Sequence, residues 1–110
     1  MTDERPVQHI VLFKFPRELT VDEERWMKDQ IRRWPNEIGG FTKLRLGRDI
    51  TGKRNRGNQY LLYTEFPSND ALQAYSPHPV HQEFAKWVAE MECEVLAFDY
   101  AVDQETTIVG

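Results

Sequence analysis

Val7-Gln8-His9-Ile10-Val11-Leu12-Phe13-Lys14-Phe15 reads as a β-strand closed by Pro16. Val, Ile and Phe suit a pleated backbone, and proline cannot donate to a ladder. Alternation puts Val7, His9, Val11, Phe13 and Phe15 on one face and Gln8, Ile10, Leu12 and Lys14 on the other. Both faces are apolar at the centre. The strand is therefore expected in the middle of a sheet, covered on both sides.

Reading outward from this strand, Leu19 to about Pro35 carries the marks of a helix. Thr20 followed three residues later by Glu23 is a capping box, and Asp22, Glu23 and Glu24 suit the positive end of a helix. Met27, Ile31, Trp34 and Ile38 form one apolar stripe. Pro35 and then Gly39-Gly40 are expected to stop it. Phe41 to Arg48 is a weaker second strand, with Leu44 and Leu46 on one face. Asp49 to Asn58 is a loop dense in glycine, asparagine and charge. Tyr60 to Phe66 is a third strand, so strand, loop and strand make an antiparallel hairpin. Ser68 caps a helix through Tyr75, which Pro77 and Pro79 interrupt. A further helical segment runs from Pro79 to about Glu92, with Val80, Phe84, Trp87 and Met91 as its stripe. Cys93 to Tyr100 is a fourth strand. A tail follows whose Ile108 and Val109 point to docking on the body or on a partner.

The order β-α-β-β-α-β is the ferredoxin-like α+β arrangement. It predicts a four-stranded antiparallel sheet with two helices on one face and the other face bare. An apolar bare face calls for a second subunit, sheet against sheet, and hence a homodimer. The chain is read as one domain over residues 1–110, with a core of about 6–101 and a tail of 102–110.

Composition narrows the function. Fourteen Lys and Arg against eighteen Asp and Glu leave a net charge of -4, which argues against a general nucleic-acid binder. A hydrophobic share of 40% is enough for a packed core and excludes a disordered chain. No apolar run approaches the roughly 20 residues that span a bilayer, so no membrane partner is expected. Residues 1–6 lack the apolar run of a secretory signal. The single cysteine, Cys93, forms no internal disulfide, which fits a reducing, cytoplasmic setting.

Four stretches together resemble one family: HIVLFKF at His9–Phe15, GRDIT at Gly47–Thr51, EFPSNDALQAYSPHPVHQEF at Glu65–Phe84, and FDY at Phe98–Tyr100. They are similar to the stress-responsive A/B barrel family, also called dimeric α+β barrel proteins, over roughly Pro6 to Ala101. The most specific piece is AYSPHPVH, Ala74 to His81. The resemblance implies a homodimer whose two sheets close a barrel. It fixes no reaction, because a shared fold does not transfer one. One plant member, a polyketide cyclase of the olivetolic acid type, closes a linear tetraketide-CoA by aldol condensation with a tyrosine and a histidine. Those roles fall on Tyr75 and His81, and a strand-one histidine beside that pocket falls on His9. A fern hydroxynitrile lyase also resembles this fold.

Each candidate has two readings. His81 is a general base for a proton α to a carbonyl, or a helix-start histidine bonded to nearby backbone. Tyr75 donates to a substrate carbonyl, or is a core aromatic with its hydroxyl at the surface. His9 is a pocket residue, or a satisfied histidine on an apolar face. Phe84, Trp87 and His78 are candidate ligand-binding residues, the two aromatics being equally consistent with a core stripe. His78 and His81 have a His-x-x-His spacing, but Pro79 lies between them and no third ligand is near, so no metal is expected. Lys53, Arg54 and Arg56 either contact an anion or form a solvated hairpin loop; the P-loop spacing is absent. No haem attachment motif is present and no cofactor is expected. Two functions compete: an enzyme of cyclase or lyase type acting on a small apolar carbonyl compound, or a non-catalytic ligand-binding or structural dimer. A cavity of roughly 300 Å³ with converging polar groups favours the first, and a filled space beside His81 the second.

Overall fold

A computed structural model describes residues 5–110. The reading of residues 1–6 as no secretory signal falls largely outside the described residues. In chain order the elements are β1 (Val7–Lys14), α1 (Val21–Glu37), β2 (Lys43–Arg48), β3 (Tyr60–Phe66), α2 (Asn69–Tyr75), α3 (Pro79–Glu90) and β4 (Glu94–Ala101), followed by a 3-10 turn at Gln104–Thr106. The four strands form one antiparallel sheet in the order β2-β3-β1-β4. This is the ferredoxin-like fold, and it places β1 in the interior of the sheet.

Two local readings are corrected. Helix α1 does not stop at Pro35 but carries it inside its last turn and runs to Glu37. Proline costs the helix one backbone donor there, and the chain recovers at the exit. The Trp34 carbonyl accepts from both Ile38 N–H at 2.8 Å and Gly39 N–H at 3.0 Å. Gly39 then turns the chain at φ +71°, a conformation suited to glycine. The helix count is also corrected: the segments read on either side of Pro77 and Pro79 are separate helices, so the described residues hold three helices rather than two. Pro77 and Pro79 lack the N–H groups a continuous helix needs, and α3 restarts with Pro79 in its first turn.

The capping box at Thr20 is present, with the Thr20 side chain accepting from Glu23 N–H and the Glu23 carboxylate accepting from Thr20 N–H. Arg17 pairs with the same carboxylate, and with Thr20 holds it well below the usual range, at about 2. The apolar stripe of α1 buries Met27, Ile31 and Trp34 in one core with Val11, Phe13 and Phe15 of the first strand region and Tyr60, Leu62 and Phe66 of β3. No helix among the described residues is long and apolar enough to cross a membrane.

The opposite sheet face is also apolar. Register places Leu12 between Leu61 and Leu96, and Ile10 between Tyr63 and Phe98. Leu96 is 61% and Phe98 65% exposed. Burying such a face in a second layer is strongly favourable, at about 25 cal/mol per Å² of apolar surface.

Candidate functional site

A polar row crosses the otherwise apolar helix-side face of the sheet. Register sets Thr64 opposite His9 on one side and Asp99 opposite His9 on the other. His9 Nδ1 makes a short hydrogen bond to the Asp99 carboxylate, which fixes the imidazole. Asp99 is half exposed, whereas the His9 side chain is nearly buried.

Above this row stands the junction of α2 and α3. The Ser68 hydroxyl caps α2 by accepting from Ala71 N–H at 3.2 Å, which sets the helix so that it ends at Tyr75. His78 caps α3 through Nδ1, which accepts from Val80 N–H at 3.2 Å. His81 therefore falls in the first turn of α3. Its Nδ1 lies 3.0 Å from the Ser76 carbonyl oxygen. A carbonyl only accepts, so Nδ1 carries the proton and Nε2 keeps the lone pair. The same carbonyl accepts from Gln82 Nε2 at 2.8 Å. Burial pushes the His81 imidazole below its ordinary value of 6.5. The Ser76 bond opposes this shift, and the nearby His9 and His78 add to it. The neutral imidazole is thus favoured at neutral pH.

Between α3 and the sheet lies a cavity of about 310 Å³. His9, Tyr75, His81, Phe84, Val88 and Val95 line it. Its wall is aromatic: the Tyr75 ring sits 4.4 Å from that of His81 and 6.1 Å from that of His9, and Trp34 packs behind both Tyr75 and His81. The Tyr75 hydroxyl and Thr64 Oγ1 are fully buried and, among the described residues, have no hydrogen-bond partner. Burial pushes the Tyr75 phenol far above its ordinary value, with Thr64 nearby opposing the shift. It stays protonated and so remains a donor. Cys93 also lines the cavity, but burial pushes its thiol up to about 11, so it is no thiolate nucleophile.

The structure brings together His9, Tyr75, His81 and Phe84. It does not bring His78 or Trp87 to the cavity wall. The His78 imidazole serves as the cap of α3. Trp87 faces the other way, packed 5.7 Å from Phe15 and 4.8 Å from Trp26. Arg54 and Arg56 line a separate hollow at the β2–β3 loop. Among the described residues no three His, Cys, Asp or Glu side chains gather as a metal site. Sequence reasoning missed two residues that stand behind the cavity wall, Thr64 opposite His9 and Asp99 bonded to it. A threonine among Tyr60, Leu62 and Phe66 on one strand face was the signal for Thr64. Asp99 needed the β1–β4 register, which alternation does not supply.

The model of the stress-responsive A/B barrel domain matches residues 7–102, and the chain belongs to that family. No curated protein matches the chain. A ferredoxin-like dimeric protein of unknown function from Bacteroides fragilis is 27% identical over 93% of this chain and 100% of its own, with a TM-score of 0.72. The hydroxynitrile lyase of Passiflora edulis is similar in fold at 18% identity and a TM-score of 0.80, covering 93% of this chain and 97% of the lyase. A family member from Mesorhizobium loti is 24% identical, with a TM-score of 0.71, over 89% and 97% of the two chains.

Proposed function

We propose that the protein is a homodimeric catalyst of proton transfer on a small, largely apolar carbonyl compound bound in the cavity between α3 and the sheet. The observation that carries this reading is the His81 imidazole in the wall of an apolar cavity, its Nδ1 3.0 Å from the Ser76 carbonyl oxygen, which leaves Nε2 as the nitrogen to accept a proton. In the proposed step the C–H bond α to the carbonyl breaks and its proton passes to His81 Nε2. The electron pair moves onto the carbonyl oxygen as an enolate. The Tyr75 hydroxyl, brought to the cavity by a swing of the side chain about its Cα–Cβ bond, donates a hydrogen bond to that oxygen. The imidazolium then returns the proton to carbon or to a product oxygen. His9, held by Asp99, stands across the cavity as a second polar contact. The same proton transfers serve carbon–carbon bond formation in a cyclase and bond cleavage in a lyase; the Passiflora neighbour is a lyase by name.

Acetophenone is a suitable probe, being small, apolar and enolisable. In D₂O buffer the protein is expected to accelerate exchange of its methyl protons, followed by NMR, well above the buffer rate. Exchange no faster than buffer overturns the catalytic reading and leaves a binding module. The rate should rise with pH along an acid limb whose midpoint lies below 6.5, because only the neutral imidazole accepts a proton. The same depressed pKa affects stability. The unfolded chain takes up a proton on His81 near pH 6.5, while the folded chain resists. This contribution is present above 6.5 and is lost as pH falls through the folded value.

The homodimer reading is supported by the exposed apolar sheet face and by neighbours described as dimeric. Phe98→Glu places a charge on that face, beside Ile10. It is expected to convert dimer to monomer in sedimentation velocity, with the far-ultraviolet spectrum unchanged. A dimer of undiminished affinity would place the interface elsewhere.

A further inference from the structure

Beyond β4, Val102 N–H donates to the Pro6 carbonyl at 2.8 Å, and Asp103 caps the short 3-10 turn. After that turn the chain stands off its own body: Ile108 is 89% and Val109 92% exposed. Thr106, Thr107, Ile108 and Val109 are all β-branched, a composition suited to a strand. Asp103 and Glu105 make the segment acidic.

The opposite edge of the sheet is complementary. Among the described residues strand β2 has β3 as its one neighbour, so alternate N–H and C=O groups along Lys43–Arg48 face outward without a ladder partner. Between this edge and α1 lies a hollow of about 630 Å³, larger than the His81 cavity. Phe41 and Leu44 give it an apolar floor, and Lys28, Arg32, Lys43 and Arg45 a cationic rim. Lys28 and Arg32 pair with Glu24 and Asp29 of their own helix. Among the described residues Lys43 and Arg45 have no carboxylate within ion-pair distance.

We infer that residues 107–110 of a second copy add to the β2 edge as a short strand, with the 3-10 turn before them crossing between the layers. The carboxylates of Asp103 and Glu105 would meet Lys43 and Arg45, and Ile108 or Val109 would fill the floor. In its own chain the segment leaves from β4, with β1 and β3 between it and β2, three strand spacings or about 14 Å away. In a sheet-on-sheet dimer the layers lie about 10 Å apart, a gap that residues 102–106 span. Two-fold symmetry makes the exchange reciprocal, giving two such strands per dimer. The inference rests on the homodimer reading above and adds a second contact to it.

The test is a designed disulfide in a Cys93→Ser background. Leu44→Cys combined with Ile108→Cys, and Leu44→Cys combined with Val109→Cys as a register-shifted pair, are oxidised mildly and run on non-reducing gels beside sedimentation of the same samples. The expected result is a covalent band of two chains from at least one pair and from neither single cysteine variant. Loss of free thiol with a band of one chain places the segment on its own edge and overturns the exchange. A sedimenting dimer with no disulfide from either pair overturns it while leaving the sheet-face dimer standing. A monomer in sedimentation overturns both readings, so the two failures are separable.

Discussion

His81→Ala is expected to lower acetophenone exchange by about 10³-fold while the protein remains folded and dimeric, a size typical of losing a positioned general base. The fold should survive for local reasons. His81 lies in the first turn of α3 and contributes one hydrogen bond, to the Ser76 carbonyl, and that carbonyl keeps its bond from Gln82. The cap of α3 belongs to His78 and the first-turn proline is Pro79, so neither is touched. The loss should therefore appear in kcat, with a small change in melting temperature. Full activity in this variant would remove His81 from the chemistry. Loss of activity together with collapse of the fold would be read against His81→Gln, which keeps volume and a polar atom but no base of suitable pKa. A folded, inactive glutamine variant restores the catalytic assignment.

Tyr75→Phe is expected to move rate and stability in opposite directions. The hydroxyl is buried without a partner among the described residues, and an unsatisfied buried hydroxyl costs about 1–3 kcal/mol. Removing it while keeping the ring preserves the aromatic packing against Phe66 at 5.1 Å and Trp34 at 5.9 Å. The variant should melt at or above the temperature of the parent chain. The exchange rate, in contrast, should fall by about 10²-fold, the cost of losing one donor to a developing oxyanion. Chemical denaturation and the NMR exchange assay on the same samples read both quantities. A less stable variant with an unchanged rate would make the hydroxyl a structural group and leave the enolate without this donor.

The fold was legible because its signals are local. The Thr20 capping box, the alternation of Val7–Phe15 and the Pro77/Pro79 break each act over a few residues, and tertiary packing did not override them. Pro35 was misleading because a proline in the last turn of a helix costs one donor rather than the helix. The site was legible in part. Tyr75 and His81 lie six residues apart on either side of a turn, and the motif around them resembles a family segment. His9 joins them because β1 is interior to the sheet. Asp99 was out of reach: it lies ninety residues from His9, and pairing register depends on how β4 docks, which no short pattern encodes. His78 and Trp87 show the converse. Both sit on the right segment, but a cap geometry and a helix phase turn them away from the cavity.

The account turns on one imidazole. The chain has three histidines, so a long-range ¹H–¹⁵N correlation spectrum across a pH series, assigned with single variants, reads each ring directly. The account predicts that His81 titrates below 6.5 and that its neutral form carries the proton on Nδ1, leaving Nε2 as the base. A midpoint at or above 6.5, or a neutral ring protonated on Nε2, would contradict it.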